Sequence, residues 1–182
     1  MTTAPLQNDR FGTDRFAASR EVAGPSGRFG LDRLRPSAAH ADVREFGERL
    51  VVWVEFADST ELIRLTSGTS SLLERAIDTA CAQRIPLVMV MTSAGADIVE
   101  GIAALHGWGL VAAALTRCSG VVPTAIIVDG PAVSGPALLL GLADIAVMTS
   151  DSYAFVQGPT MVEQFTGVAI STEELGGAAN HA

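Results

Sequence analysis

A chain of 182 residues with 12 arginines, no lysine, 20 acidic residues and a formal charge of −8 lacks the basic footprint of a nucleic-acid binder and excludes any lysine-based mechanism. The hydrophobic share of 48% and mean hydropathy of +0.35 are high, yet no run of 18 apolar residues is present to span a bilayer. Ala125 to Met148 comes nearest and is broken by Asp129, Pro131, Pro136 and Asp144. With no basic start followed by an apolar core, a cytoplasmic location is expected. The apolar excess is expected in strands covered on both faces and in subunit interfaces.

Residues 1–39, rich in Arg, Gly, Pro and Ser, read as a flexible N-terminal arm, and 40–182 as one domain. Leu50 to Phe56 is an apolar, β-rich run, with Glu61 to Leu65 as its hairpin partner or the next strand. Thr66 to Ser70 caps a helix whose apolar positions 72, 73, 76, 77 and 80 are helically spaced, and Arg84-Ile-Pro86 ends it. Leu87 to Met91 is a uniformly apolar strand of the parallel-sheet kind, followed by a turn at Ser93 to Ala96 and a helical stretch to about Cys118. Thr124 to Val128 repeats the pattern, with a helix through Leu142. Ile145 to Met148 and Ala154 to Val156 are further short strands, and Ser171-Thr172 before Glu173-Glu174 is an N-cap arrangement. Strand, Gly-containing turn and helix in alternation predict an α/β fold with a parallel sheet flanked by helices. The two cysteines, Cys81 and Cys118, are expected to be buried structural thiols, and no metal site is expected.

Two strand-to-helix turns are candidates for chemistry, Thr92 to Asp97 and Gly130 to Ala137. Small residues at the start of a helix leave its first N–H groups open, with the positive end of the dipole behind them. Two such turns side by side make a site for a developing negative charge. From spacing alone, small residues that merely permit tight helix–strand packing are the favoured explanation of the pattern.

Longer motifs follow in order: Ser93-Ala-Gly-Ala-Asp-Ile-Val-Glu-Gly101, Leu105-His-Gly-Trp-Gly109, Ser119-Gly-Val-Val-Pro123 and Gly130-Pro-Ala-Val-Ser-Gly-Pro-Ala137. Asp144, Met148, Ser152, Phe155, Gly158, Pro159, Val162, Thr166 and Gly167 continue the series, and Glu173-Glu-Leu-Gly-Gly-Ala178 with His181 closes it. In this order Ala94 to His181 resembles the N-terminal, acyl-CoA-binding domain of biotin-dependent acyl-CoA carboxyltransferases, the propionyl- and acetyl-CoA carboxylase beta-subunit family. The resemblance implies the crotonase/ClpP-like ββα spiral. It also implies that acyl-CoA lies with its thioester carbonyl in a hole of backbone N–H groups, here those of Gly95, Ala96, Ser134 and Gly135. Loss of the α-proton, for which the biotin ureido nitrogen serves as acceptor, leaves an enolate that attacks carboxybiotin. Ala94, Gly130, Pro131, Gly158 and Pro159 match substrate-binding positions. The implied cofactors are biotin, carried by a partner protein, and coenzyme A as part of the substrate. The implied partners are a biotin carboxyl carrier protein with biotin carboxylase, and a chain supplying the second carboxyltransferase domain, in an oligomer.

Several positions depart from the family pattern. Its first Gly-Gly is Ala94-Gly95, its Arg is Asp97, its second Gly-Gly is Ser134-Gly135, and the Ala that follows is Pro136. Family chains also run on past the position of Ala182 into a biotin-binding second domain, so the sequence is expected to represent a split subunit, a fragment or a relic. A non-catalytic pseudo-subunit and a malonyl-thioester decarboxylase therefore remain alternatives. So does a serine hydrolase, because Gly130 to Ala137 is similar to the ClpP-type loop with Ser134 at the nucleophile position. There, however, Gln157 stands where a histidine base is expected.

Overall fold

The computed structural model describes residues 39–56 and 63–182, together with the backbone of a three-residue strand at 19–21. That strand, β1 (Ser19–Glu21), lies antiparallel to β2 (Ala39–Phe46), and β2 lies antiparallel to β3 (Arg49–Phe56). The rest of the expected N-terminal arm is outside the described residues. The hairpin partner of β3 is thus β2, upstream, and not Glu61 to Leu65. Residues 61 and 62 are outside the described residues, and Leu65 forms only a single parallel bridge with Ala96. Gly47 closes the β2–β3 hairpin at φ +63°, the positive φ that a two-residue loop between twisted strands requires.

From β3 onward the sheet is parallel: β4 (Leu87–Ser93) pairs β3, β5 (Thr124–Val133) pairs β4, and β6 (Ile145–Met148) pairs β5 over Ala125–Val128. The helix α1 (Ser67–Gln83) crosses from β3 to β4, and α2 (Ile102–Cys118) from β4 to β5. Thr66 caps α1 by accepting the Thr69 N–H at 3.1 Å, and Arg84 closes its other end in the left-handed region at φ 55°. Leu72, Leu73, Ala76, Ile77 and Ala80 of α1 meet Val111, Ala114, Leu115 and Cys118 of α2 over Val52, Val54, Met89, Met91, Ile126 and Val128 of the sheet. At the helix crossing, a β-carbon on Gly107 would lie 2.8 Å from Ser70 Cβ, so only glycine admits this approach.

Both helices pack on one side. On the other, Val88, Val90, Ala125 and Ile127 are half-buried, and Ile145 and Val147 of the edge strand are 57% and 47% exposed. The expectation of strands covered on both faces therefore holds on one face only, among the described residues. Cys118 is buried as expected, its thiol donating to Ile77 O at 3.4 Å, whereas Cys81 is half-buried. Burial, reinforced by a hydrogen bond with Cys81, pushes the Cys118 thiol up to about 12 and keeps it protonated. No helix among the described residues is long and apolar enough to cross a membrane.

β5 changes partners along its length. Its first half pairs β6, and Pro131–Val133 pairs β7 (Tyr153–Phe155) on the same edge. The switch coincides with a register shift against β4, where Met91 faces Val128 but Ser93 faces Ala132. Gly130, at φ +103°, and Pro131, without an N–H, occupy this irregular stretch, where the ladder asks for neither a side chain nor a donor. The bend turns the end of β5 toward the end of β4. The short helix α3 (Gly135–Leu139) follows β5, and after β7 come α4 (Pro159–Thr166), α5 (Thr172–Gly176) and α6 (Ala178–His181).

Candidate functional site

The first turn leaves β4 at Ser93 and is laced onto the segment before α1. Ala94 N donates to Ile63 O at 2.8 Å, Leu65 N to Gly95 O at 2.8 Å, and Asp97 N to Leu65 O at 3.0 Å. Gly95 has φ +111°, which an L side chain rarely adopts. Its N–H donates inward to Ser93 Oγ at 3.2 Å. The Ala96 N–H has no acceptor among the described residues.

The second turn leaves β5 at Ser134. The Ser134 N–H donates to Phe155 O at 2.9 Å and so completes the β5–β7 ladder. Gly135 then opens α3, its N–H without an acceptor among the described residues, and Pro136 follows with no N–H to offer. Trp108 of α2 lies flat on this turn: a β-carbon on Gly135 would stand 3.0 Å from the indole Cγ and Cδ2. Trp108 therefore packs across onto α3.

The two turns meet. A β-carbon on Gly95 would be 3.4 Å from Val133 O and 3.5 Å from Ser134 Cβ, so the seam between them is a van der Waals contact. Of the four expected donors, Gly95 and Ser134 are engaged within the protein, and Ala96 and Gly135 have no acceptor among the described residues, Gly135 being buried beside Trp108. Ser134 stands at φ 63°, ψ −125°, a conformation that costs a non-glycine residue about 1–3 kcal/mol.

Of the remaining predicted residues, Ala94 and Gly130 lie in the segments that form the two turns. Ala94 is half-buried in the first turn, and Gly130 lies so close to Thr92 that a β-carbon would come within 2.9 Å of its Oγ1. Gly158 and Pro159 begin α4, Gly158 O accepting from Met161 and Val162 at 3.0 and 3.2 Å; neither hydrogen-bonds to the two turns among the described residues. Sequence reasoning overlooked Ser93 and Phe155 as the acceptors that fix the turns. The strand period of two, counted on from Leu87, Met89 and Met91, puts the Ser93 hydroxyl on the core side, although the uniformly apolar run does not itself show which face is buried. It also overlooked Glu100, whose carboxylate accepts from Ser67 N at 2.6 Å and ties the loop after the first turn to the start of α1.

The first turn and the loop after it carry two carboxylates, with the exposed Arg64 on the segment paired to the turn. Asp97 Oδ1 accepts from Val99 N at 2.9 Å, and Glu100 is exposed beside it. His181 is remote from Ser134: its Nε2 lies 3.1 Å from Ala154 O. Successive strand carbonyls point to opposite edges, so Ala154 O faces away from the edge on which Phe155 O meets Ser134.

A family model described as the carboxyl transferase domain matches residues 51–182. The propionyl-CoA carboxylase beta chain of Rhodococcus erythropolis is 39% identical over 109 residues, 60% of this chain and 23% of that protein. The methylmalonyl-CoA carboxyltransferase 12S subunit of Propionibacterium freudenreichii subsp. shermanii is 38% identical over 96 residues, 53% of this chain and 18% of that protein. The chain thus spans less than a quarter of the length of either relative. Among solved structures, transcarboxylase 12S with methylmalonyl-coenzyme A and methylmalonic acid bound superposes with a TM-score of 0.75 at 28% identity, over 79% of this chain and 28% of that one. A Pseudomonas malonate decarboxylase hetero-dimer matches with a TM-score of 0.71 at 15% identity, over 89% of this chain and 68% of that one, a likeness of fold. The crotonase-like α/β architecture expected from the resemblance is borne out.

Proposed function

Because the chain belongs to the carboxyl transferase domain family, we propose that it is the acyl-CoA-binding component of an acyl-CoA carboxyltransferase. The observation that carries this reading is the seam at Gly95 and Ser134, flanked by the unengaged N–H groups of Ala96 and Gly135. A thioester carbonyl oxygen set between those two donors gains little in the ground state and much when the α-proton leaves, because the charge then resides on that oxygen. Each such donor is worth about 2.7–4 kcal/mol to the enolate. Ser93 and Phe155 hold the two turns so that the donors need no reorganisation. Ala94, Gly130 and Pro131 keep the approach narrow, and Gly158 and Pro159 start the helix bordering it.

Carboxybiotin, presented by a biotin carboxyl carrier protein served by biotin carboxylase, supplies the activated carboxyl group. A partner chain carrying a second carboxyltransferase domain faces the two turns and provides the biotin side. The site fits the thioester better than it fits the rest of coenzyme A, since Asp97 stands where the family pattern has Arg and repels a nearby phosphate.

Calorimetry with acetyl-, propionyl- and malonyl-CoA, on the chain alone and assembled with its partner, tests the reading; saturable binding is expected with at least one. A non-catalytic subunit is the second reading, favoured by the engagement of the Gly95 and Ser134 amides and by Asp97. Absence of binding in both states would establish it. Release of carbon dioxide from malonyl-CoA without biotin would instead indicate the decarboxylase. Hydrolysis is disfavoured by the position of His181 on the far edge of β7.

A further inference from the structure

We infer that Ser134 contributes its side chain to the site: Oγ–H is a third hydrogen-bond donor to the thioester oxygen, in place of the Ser134 amide. The inference rests on the proposed thioester site. It begins from the backbone. Only two non-glycine residues among the described ones have positive φ, Arg84 and Ser134. Arg84 is accounted for locally, since its N–H closes α1 on the carbonyls of Ala80 and Cys81. Ser134 has no such return, because its N–H leaves the turn for Phe155 O on another strand. A glycine would make that same bond without a β-carbon at φ 63°.

The hydroxyl is therefore the part of Ser134 that needs a reason, and among the described residues it makes no hydrogen bond. Ser93 Oγ accepts the Gly95 N–H, Ser152 Oγ donates to Thr149 O at 2.6 Å, and Ser171 Oγ accepts the Glu174 N–H, whereas Ser70 Oγ is also without a partner but is buried at the α1–α2 crossing against Gly107, away from the two turns. Ser134 is half-buried, and its Cβ stands at the seam of the two turns, directly before the open Gly135 amide. A hydroxyl there is beside the seam that the Ala96 and Gly135 amides flank. It acts as a donor and not as a nucleophile, because no group among the described residues hydrogen-bonds to Oγ to take its proton.

Two variants separate the hydroxyl from the strain. Ser134→Ala removes the hydroxyl and keeps the β-carbon, while Ser134→Gly removes both. Each is expected to weaken propionyl-CoA binding about 3- to 10-fold, the worth of one ordinary hydrogen bond. With S-propyl-CoA, a thioether lacking the carbonyl oxygen, wild type and both variants should bind equally, which a merely structural role would not produce. Ser134→Gly should also raise Tm by about 2–6 °C, and Ser134→Ala should not. Equal affinity of wild type and Ser134→Ala for propionyl-CoA overturns the inference and leaves the proposed function standing. So does labelling of Ser134 by a fluorophosphonate, which would make it a nucleophile. Failure of the wild-type chain to bind any of the three acyl-CoA thioesters, alone or with its partner, removes both.

Discussion

The helix-covered side of the sheet and the C-terminal third are built from the same kinds of residue to opposite ends. Under α1 and α2, Leu72, Leu73, Ile77, Leu115, Met89 and Ile126 are sealed from solvent. In the last third, Phe165 is 82% exposed and Val168 62%, and the edge strand β6 shows Ile145 and Val147. The high mean hydropathy thus has two sources with different consequences. Sealed side chains stabilise this chain; exposed ones contribute little to it as it stands.

Truncation separates the two most sharply. Leu115→Ala should cost about 2–5 kcal/mol in denaturant unfolding, since the surrounding helices and sheet collapse only partly into the void. Phe165→Ala should change stability by less than about 0.5 kcal/mol, despite deleting a larger side chain. A large loss for Phe165→Ala would mean that the C-terminal third has a core of its own.

The next effect tests the seam where the packed sheet meets the turns. Gly95→Ala places a β-carbon at φ +111° and within 3.5 Å of Ser134 Cβ, and should destabilise by about 1–3 kcal/mol while closing the thioester site. Tm and propionyl-CoA affinity measured together check it. Intact affinity with lowered Tm would show that the seam is only packing, the alternative that residue spacing by itself leaves open.

Legibility in the sequence followed the range of the interactions. The strands announced themselves as apolar runs at 87–91 and 124–128, short of their observed ends at Ser93 and Val133, and α1 by its period, because apolar runs and stripes leave a mark on composition. β2 was missed as the hairpin partner of β3. Its inward apolar positions are Ala39, Ala41 and Val43, two of them small, and they alternate with His40, Asp42 and Arg44, so its apolar signal is weak although the alternation is there. At the candidate site, the motifs located both turns. They did not reveal which amides were engaged, since the Ser134 N–H is claimed by a carbonyl 21 positions along the chain (Phe155). No local pattern records that bond.

A smaller effect concerns the C-terminal third. Ser171 and Glu174 form a reciprocal cap on α5, Ser171 Oγ accepting from Glu174 N at 3.1 Å and Glu174 Oε2 accepting from Ser171 N at 3.0 Å. Backbone and then hydroxyl hydrogen bonds from Ser171 hold the Glu174 carboxyl below its usual value. A group with a lowered folded pKa contributes above its unfolded pKa, and its contribution is lost as pH falls through the folded one. Ser171→Ala should cost about 1 kcal/mol at neutral pH. Glu174→Gln should remove the acid-side dependence of α5 helicity, read by hydrogen exchange between pH 3 and pH 6 (a range bracketing ordinary carboxylates).

The least perturbing substitution addresses charge at the edge of the first turn. Asp97→Asn retains an oxygen to accept the Val99 N–H and deletes only the negative charge, so the loop should keep its shape. If coenzyme A phosphates pass this point, removing one repulsion should tighten propionyl-CoA binding about 2- to 5-fold at low salt, the scale of a single exposed charge pair. The gain should shrink toward nothing as ionic strength rises to about 1 M, where screening reaches only about 3 Å. S-propionyl pantetheine, which carries no phosphate, should bind Asp97→Asn and wild type alike. A gain that persists with pantetheine or at high salt would place the effect in the shape of the turn instead, and would move Asp97 from the border of the site into its architecture.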